Sequence, residues 1–588
     1  MNAARKYAVE SLSYDVLVIG AGGAGLRAAV AISDAGLSVG VVSKSLLGKA
    51  HTVMAEGGVA AAMAHVDADD NWEVHFRDTM KSGHFINNAR MVELLTTEAP
   101  ERVLELESWG AVFDRTPEGD IMQRAFGAHS YRRLCHVGDH TGKELLRTLQ
   151  NRVTHLGVTF YPEVIVTRLF LIDGRIVGAL AYQRRDGHFL LFQTRAVVLA
   201  TGGWGRLYAT SSNSWESTGD GTALAVTAGA TLSDMEMVQF HPTGMVWPPG
   251  VRGLLVTEGV RGEGGVLVNA EGRRFMADYD AERMELSSRD VVARAIYREV
   301  QAGRGTPHGG AWLDITARGS DFINRKLPSM RAQFLALADV DITRQPMEVA
   351  PTCHYMMGGV RVDPDTCTTA VPGLFAAGEV AAGLHGANRL GGNSLADLLV
   401  FGKRSGEGAA AFARQAPSPP AVSTRQVQAE IDRVLKPLER VDGPSPYQLH
   451  SDLQQLMSHH AGLARTGSAL SEGLYPLLEL REQARHLAVP GGTLYNPGWN
   501  LALDLDALLL LGEAIIDSAL ERTESRGAHF REDCPAEDPA WAQVNVVITQ
   551  DEEGALHVGT APVVPPGPRL QHILSPLDGQ STAGRTGS

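Results

Sequence analysis

Apolar and polar positions along the chain change rhythm several times. From Asp15 to Ile19 a short β-branched apolar run leads into Gly20-Ala21-Gly22-Gly23-Ala24-Gly25, and then into an Ala-rich stretch of helical pattern, Leu26 to Ala35. Residues 66 to 195 alternate helical periodicity, at Ala89 to Leu106 and Lys143 to Leu156, with period-two runs at Thr159 to Phe170 and Ile176 to Tyr182. Ala196 to Gly203 reads as a buried strand running into a Gly-Gly turn. After the Pro- and Ser-rich stretch Gln415 to Thr424, helical periodicity dominates. It predicts helices over Gln426 to Leu438, Pro446 to Thr466, Ala469 to His486 and Leu501 to Glu521, then a hairpin around Val544 to Val558. The last of these helices is the most apolar, but Asp504, Asp506, Glu513 and Asp517 interrupt it, so a packed helix is expected and not a membrane span. Beyond Pro562 the composition turns Pro-, Gly- and Ser-rich, and a loose tail is expected.

The strand, Gly-x-Gly-x-x-Gly turn and helix at the start make a dinucleotide site. The glycines permit a tight turn and let a helix N-terminus face a pyrophosphate. The following strand, Ser38 to Val42, ends in Ser43-Lys44, where NAD enzymes place an acid for the ribose hydroxyls. That difference favours FAD over NAD.

Composition narrows the class. At 588 residues the chain is too long for one core. Its net charge of −14, without a basic stripe, excludes a nucleic-acid binder. Cys135, Cys353, Cys367 and Cys534 form no CxxC pair, so no iron–sulfur cluster is expected in this chain, and a reducing compartment suits such sparse thiols. Residues 1–15 carry no apolar signal core or transit pattern, so no leader is expected. His136, Asp139 and His140 lie close together in a Gly-containing loop, but without a fourth ligand or helical His spacing no metal is assigned.

The candidate chemistry begins at Lys49 to Gly58, KAHTVMAEGG, where one histidine precedes a Glu-Gly-Gly run able to approach a flat ligand. Taken alone, His51 reads more readily as a structural residue than as a cofactor link. GAGGAG followed by SKSLLGKAHTVMAEGG resembles the flavoprotein subunit of succinate dehydrogenase and fumarate reductase. Lys49-Ala50 differs from the Arg-Ser that many members carry before the histidine. The resemblance continues through HPTG, LLVTEGVRGEGG, SSRDVVARAI, VAPTCHYMMGG and GANRLGGNSL, and covers roughly residues 12 to 560.

The resemblance implies an α/β fold: an FAD-binding dinucleotide (Rossmann-like) domain with an inserted α+β capping domain and a C-terminal helical bundle. The expected boundaries are 12–238 and 351–414 for the FAD-binding domain, 239–350 for the cap, 425–523 for the helical domain and 524–588 for a C-terminal domain and tail. It implies FAD bound covalently through His51, with Gly20, Gly22, Gly23, Ala24, Gly25, Ser43, Lys44, Thr52, Gly57, Gly58, Asp220, Glu379, Ser394 and Leu395 on the cofactor. His241, Thr257, His354 and Arg389 would grip the carboxylates of succinate or fumarate, and Arg289 would exchange a proton with substrate through Glu258 and Arg261. Phe126 reads equally as a substrate contact or a core aromatic. Arg289 begins a helix whose Val291, Val292, Ala295 and Ile296 are expected to face a core. An arginine does not rest deprotonated, so its role is that of a shuttle. An iron–sulfur subunit, membrane anchor subunits and a quinone are the implied partners, with the chain peripheral on the cytoplasmic face of the membrane. An aspartate oxidase and a flavin-bearing electron-transfer component are the rivals; His51 argues against the first and the full set of substrate residues against the second.

Overall fold

The computed structural model describes residues 8–575. Its main sheet has seven strands among the described residues, built on Val9–Ile19, which lies parallel to Val39–Ser43 on one side and to Phe189–Leu199 on the other. Val16, Leu17, Val18, Val197 and Val198 are completely buried, as a parallel centre covered on both faces requires. Leu374–Ala376 returns to this sheet from far along the chain, parallel to Phe189–Leu199. The helices Gly23–Asp34 and Asn393–Gln415 pack against each other over it. The late segment thereby sets Leu398 of its helix against Gly23 of the first glycine turn.

The period-two run from Thr159 to Phe170 is two strands. Glu163 has φ 57°, and this left-handed residue breaks the run. Thr159–Pro162 therefore pairs with Val39–Ser43, while Val164–Ile172 forms a hairpin with Arg175–Gln183.

Between Phe240 and Val349 the chain builds a second core, with Leu267, Phe275, Ile296, Leu313 and Met330 fully buried. Its antiparallel sheet runs Val238–Met245, Met347–Met356, Ala311–Asp314, Val266–Val268. Because the two longest strands of this sheet, Val238–Met245 and Met347–Met356, are also the entry and exit of the segment, both lie against the main domain. The helix Arg289–Glu299 buries Val292, Ala295 and Ile296 as expected, but Val291 is only partly buried and faces a surface cleft.

The helices Thr424–Glu439, Pro446–His460, Gly467–Ala484 and Pro497–Glu521 form the C-terminal bundle. The second ends six residues earlier than its periodicity suggests, because the chain leaves helical geometry at Ala461, ahead of Gly462. Thr466 then caps the next helix, accepting from Ala469 N at 3.1 Å. The strands Val544–Gln550 and Leu556–Pro562 pair as the expected hairpin. Part of the expected loose tail is ordered instead: Pro568–Leu574 is a helix whose Leu570 is buried in the main core, and residues 576–588 lie outside the described residues. Cys135, Cys353 and Cys367 are buried as free thiols, and Cys534 is partly exposed. Among the described residues no helix is long and apolar enough to cross a membrane.

Candidate active site

One long cavity begins at the glycine turn, where Gly20, Gly22, Gly23 and Ala24 line it beside Ser43 and Lys44. Gly20 has φ 113°, and a Cβ there would lie 2.1 Å from Ala200 O. Gly25 sits behind the turn; a Cβ on it would meet Gly20 O at 1.9 Å, so its service is close helix–strand packing. Lys44 Nζ bonds Thr218 Oγ1 at 2.6 Å, Asp220 Oδ2 at 2.9 Å and Asp504 Oδ1 at 2.6 Å. Burial opposes its charge, but Asp220 and Asp504 outweigh burial and raise its pKa. Asp504 comes from the bundle helix Pro497–Glu521 and is a site neighbour that sequence reading missed. In the sequence it is one of the acids, with Asp506, Glu513 and Asp517, that interrupt an apolar helix, and nothing local sets it apart. Glu379 follows the returning strand, accepts from Met356 N at 3.1 Å, and is pushed up to about 7 by burial.

The His51 loop crosses this cavity. Thr52 Oγ1 accepts from Gly23 N at 3.2 Å, tying the loop to the helix N-terminus. Arg124 holds the other end, donating from Nε to Gly57 O at 2.8 Å and from Nη2 to Glu56 O at 2.5 Å. Gly57 is pressed by Phe126, whose Cζ would be 2.7 Å from an added Cβ, and Gly58 lies against the backbone of Cys135. Phe126 is both buried and cavity-lining, so its two readings meet in one place. His51 Nδ1 is shielded from solvent and has no hydrogen-bond partner among the described residues. Burial, and then Arg389, lower its pKa to about 4, so the ring is neutral and keeps a lone pair at physiological pH. Glu56 Oε2 is likewise buried without a partner, and burial followed by Asp139 pushes this carboxyl well above its ordinary value.

At the other end, strand pairing gathers residues that are remote in sequence. His241 on Val238–Met245 lies opposite Thr352 on Met347–Met356, which brings the rings of His241 and His354 to 5.1 Å. His241 Nδ1 is 3.0 Å from Thr243 O, and His354 Nδ1 is 2.8 Å from Ser212 Oγ. Burial is the largest cause of the strongly lowered pKa of both, supplemented by Arg289 for His241 and by His241 for His354. Both rings are neutral hydrogen-bonding groups at working pH. Thr257 is buried at the same wall, its Oγ1 accepting from Gly259 N at 3.3 Å.

Two guanidiniums face this end of the cavity. Arg289 Nε donates to Glu258 Oε2 at 2.8 Å and its Nη1 to Gln239 Oε1 at 3.1 Å. Arg389 lies 4.4 Å over the Tyr355 ring and donates to Ser394 Oγ at 2.9 Å, while its Nε has no partner among the described residues. Burial and then Arg289 bring the pKa of Arg389 down to about 9. Ser394 and Leu395 lie in the first turn of Asn393–Gln415, whose exposed amides add positive potential. Burial alone would raise Glu258, but Arg289 and Arg261 hold it down at about 2. Its Oε1 also accepts from Gly127 N at 2.9 Å. Arg261 is buried behind Glu258, 3.8 Å from its Oε2, and its Nη1 donates to Glu285 O at 2.5 Å. Gln239, which touches both cavity arginines, is the other residue that sequence reading missed; it directly precedes the Phe240-His241 pair but carries no charge or motif signal.

The His136, Asp139 and His140 cluster has other partners. His136 Nδ1 is 3.0 Å from Asp114 Oδ2, and Asp139 accepts from the Ser329 backbone and hydroxyl at 2.8 and 2.7 Å. No set of three or more His, Cys, Asp or Glu among the described residues is placed to hold a metal.

The chain of features fits a flavin dinucleotide: a helix N-terminus behind a glycine cradle, a neutral imidazole midway whose Nδ1 has no partner among the described residues, and a cationic end shaped for an anion. The FAD binding domain family model matches residues 15–395, and the fumarate reductase flavoprotein C-terminal model matches residues 450–569. The fumarate reductase (CoM/CoB) of Methanothermobacter marburgensis has a chain that is 45% identical over 528 residues, 90% of this chain and 95% of that one. The succinate dehydrogenase flavoprotein subunit of Rickettsia bellii is 38% identical, covering 95% and 96% of the two chains. Among solved structures, a chain of the Mycobacterium smegmatis Sdh1 complex in the apo form superposes with a TM-score of 0.88 at 52% identity, covering 96% of this chain and 97% of that one.

Proposed function

This chain belongs to the succinate dehydrogenase and fumarate reductase flavoprotein family, and on that premise we propose that it carries FAD covalently on His51 and interconverts succinate and fumarate. The observation that carries this reading is the convergence of Arg289, Arg389, His241, His354 and Thr257 on the end of the cavity opposite the dinucleotide turn. Two cations, two neutral imidazoles and one hydroxyl, with Glu258 neutralising a single charge, leave this end net positive. A dicarboxylate complements it.

Bound along the cavity, FAD supplies a hydride acceptor and donor; everything else falls to the protein. Arg389 presents its unpaired Nε to a carboxylate, and its planar fork holds such a group with direction. His241, His354 and Thr257 donate to substrate oxygens without adding charge. Arg289 exchanges the proton at the substrate carbon, and Glu258, ionised at every working pH, accepts or returns it. Arg261 behind Glu258 keeps that carboxylate charged between turnovers. Because the same groups serve both directions, the direction is set by the electron partner.

The cluster-free cysteine pattern and the family support electron transfer to an iron–sulfur subunit, and from there to quinone through membrane anchor subunits. Association with the cytoplasmic face of the membrane then depends on those partners.

The covalent link is tested by precipitating the protein with acid and resolving it on a denaturing gel. Flavin fluorescence is expected to remain with the wild-type band and to be lost from His51→Ser. A wild-type band without fluorescence defeats the link and favours an aspartate oxidase-like noncovalent flavin.

A further inference from the structure

Gln239 lies on Val238–Met245 and is 1% exposed. Its Oε1 accepts from Arg289 Nη1 and from Arg389 Nη2, each at 3.1 Å. Its Nε2 donates to Asn388 Oδ1 at 2.7 Å and to Arg389 O at 2.9 Å. Both lone pairs and both protons of the amide are thus used. The amide can point only this way, since reversing it would set its NH2 against two guanidiniums and its oxygen against an acceptor.

The network continues. Asn388 Nδ2 donates to Asp290 Oδ1 at 3.0 Å, Asp290 Oδ2 accepts from Arg294 Nη2 at 2.7 Å, and Arg294 Nη1 donates to Gly527 O at 2.7 Å. Asp290 and Arg294 belong to the helix that Arg289 opens, Asn388 adjoins Arg389, and Gly527 belongs to the C-terminal segment.

We propose that Gln239 is a positioning residue that sets the separation and aim of Arg289 and Arg389, and that the Asn388–Asp290–Arg294 chain anchors it to both flanking segments. The physical need is clear from charge. Two guanidiniums that must face one small dianion repel each other when the site is empty, and each is free to turn aside on a long flexible stem. A neutral acceptor shared between them holds both without neutralising either, so their charge stays available to the ligand. A carboxylate in its place would hold them more tightly but compete with the substrate. This inference rests on the dicarboxylate reading above.

The test uses the flavin-loaded full chain as wild type, Gln239→Leu and Gln239→Glu. Three quantities are read: flavin content, malonate affinity by titration calorimetry, and the kcat of fumarate reduction by a reduced dye. Loss of a hydrogen bond to a charged group is expected to weaken malonate binding in Gln239→Leu by about 10-fold or more and to lower kcat by about 10- to 100-fold, at unchanged flavin content. In Gln239→Glu malonate also binds more weakly, because the new carboxylate competes with it for both guanidiniums, but kcat falls less than in Gln239→Leu because that carboxylate still holds the two arginines. A glutamine that only packed would give the reverse order, the buried charge of Gln239→Glu being more damaging than the apolar side chain of Gln239→Leu. Should Gln239→Leu lose flavin through misfolding, Gln239→Glu decides the matter by itself. Wild-type malonate affinity in Gln239→Glu, a lower kcat in Gln239→Glu than in flavin-loaded Gln239→Leu, or affinity and kcat within about two-fold of wild type in flavin-loaded Gln239→Leu, overturn the proposal. A wild-type protein that neither binds malonate nor reduces fumarate instead overturns the dicarboxylate reading.

Discussion

Glu379 shows how much one buried side chain can tie to pH. Burial pushes its carboxyl from 4.5 up to about 7. Below about pH 4.5 the group is protonated in both folded and unfolded chains, and its contribution to stability is full. As pH rises, the unfolded chain ionises first and stability falls until the folded carboxyl itself ionises near pH 7, a loss of up to about 3 kcal/mol. Glu379→Gln keeps the shape and the acceptor for Met356 N but does not titrate. The melting temperature of Glu379→Gln relative to wild type is therefore expected to be higher at pH 8 than at pH 4.5, and an offset independent of pH would contradict the assignment. The side chains His241, Thr257, Glu258, Arg289, His354 and Arg389, which line one cavity, were singled out in the sequence by the stretches that resemble the family, since composition alone would not have separated them from structural residues. Gln239 was not, since its role exists only once strand pairing sets it between two arginines from distant segments.

Among the elements, the first strand, turn and helix were the most legible, because period and glycine spacing act locally. Gly25 is the position where this geometry is least forgiving. A Cβ 1.9 Å from Gly20 O can be accommodated only by moving backbone, so Gly25→Ala is expected to cost at least about 1–3 kcal/mol and to lower the ratio of flavin absorbance to protein. Normal flavin content with an unchanged melting temperature would show that the turn has slack. Element ends were less legible wherever a single backbone conformation decided them. Glu163 splits a single period-two run by turning left-handed, and Ala461 ends a helix whose side-chain periodicity continues. The helix Pro568–Leu574 exists despite its Pro-rich surroundings, since Leu570 finds a place in the core.

At the scale of the whole molecule, long-range ion pairs bind the segments together. Arg522, fully buried, meets Glu236 at 2.6 Å, Glu524 at 3.2 Å and Asp234 at 3.3 Å, joining the C-terminal segment to the chain just before His241. Arg522→Met leaves those carboxylates without their cation and is expected to cost about 3–5 kcal/mol, seen as a lower melting temperature. The exposed pair Arg485–Glu482 provides the control: Arg485→Met should change stability by less than about 1 kcal/mol. Equal effects from the two substitutions would mean that the buried cluster does not lock the segments. Asp504 against Lys44 is the same kind of contact, and no local pattern could have announced either. The sealed thiols have a practical consequence. Cys353 directly precedes His354, so the rate at which an alkylating reagent reaches its sulfur measures how often the strand beneath the cavity opens to solvent, and it does so in a protein whose flavin colour would mask most optical probes.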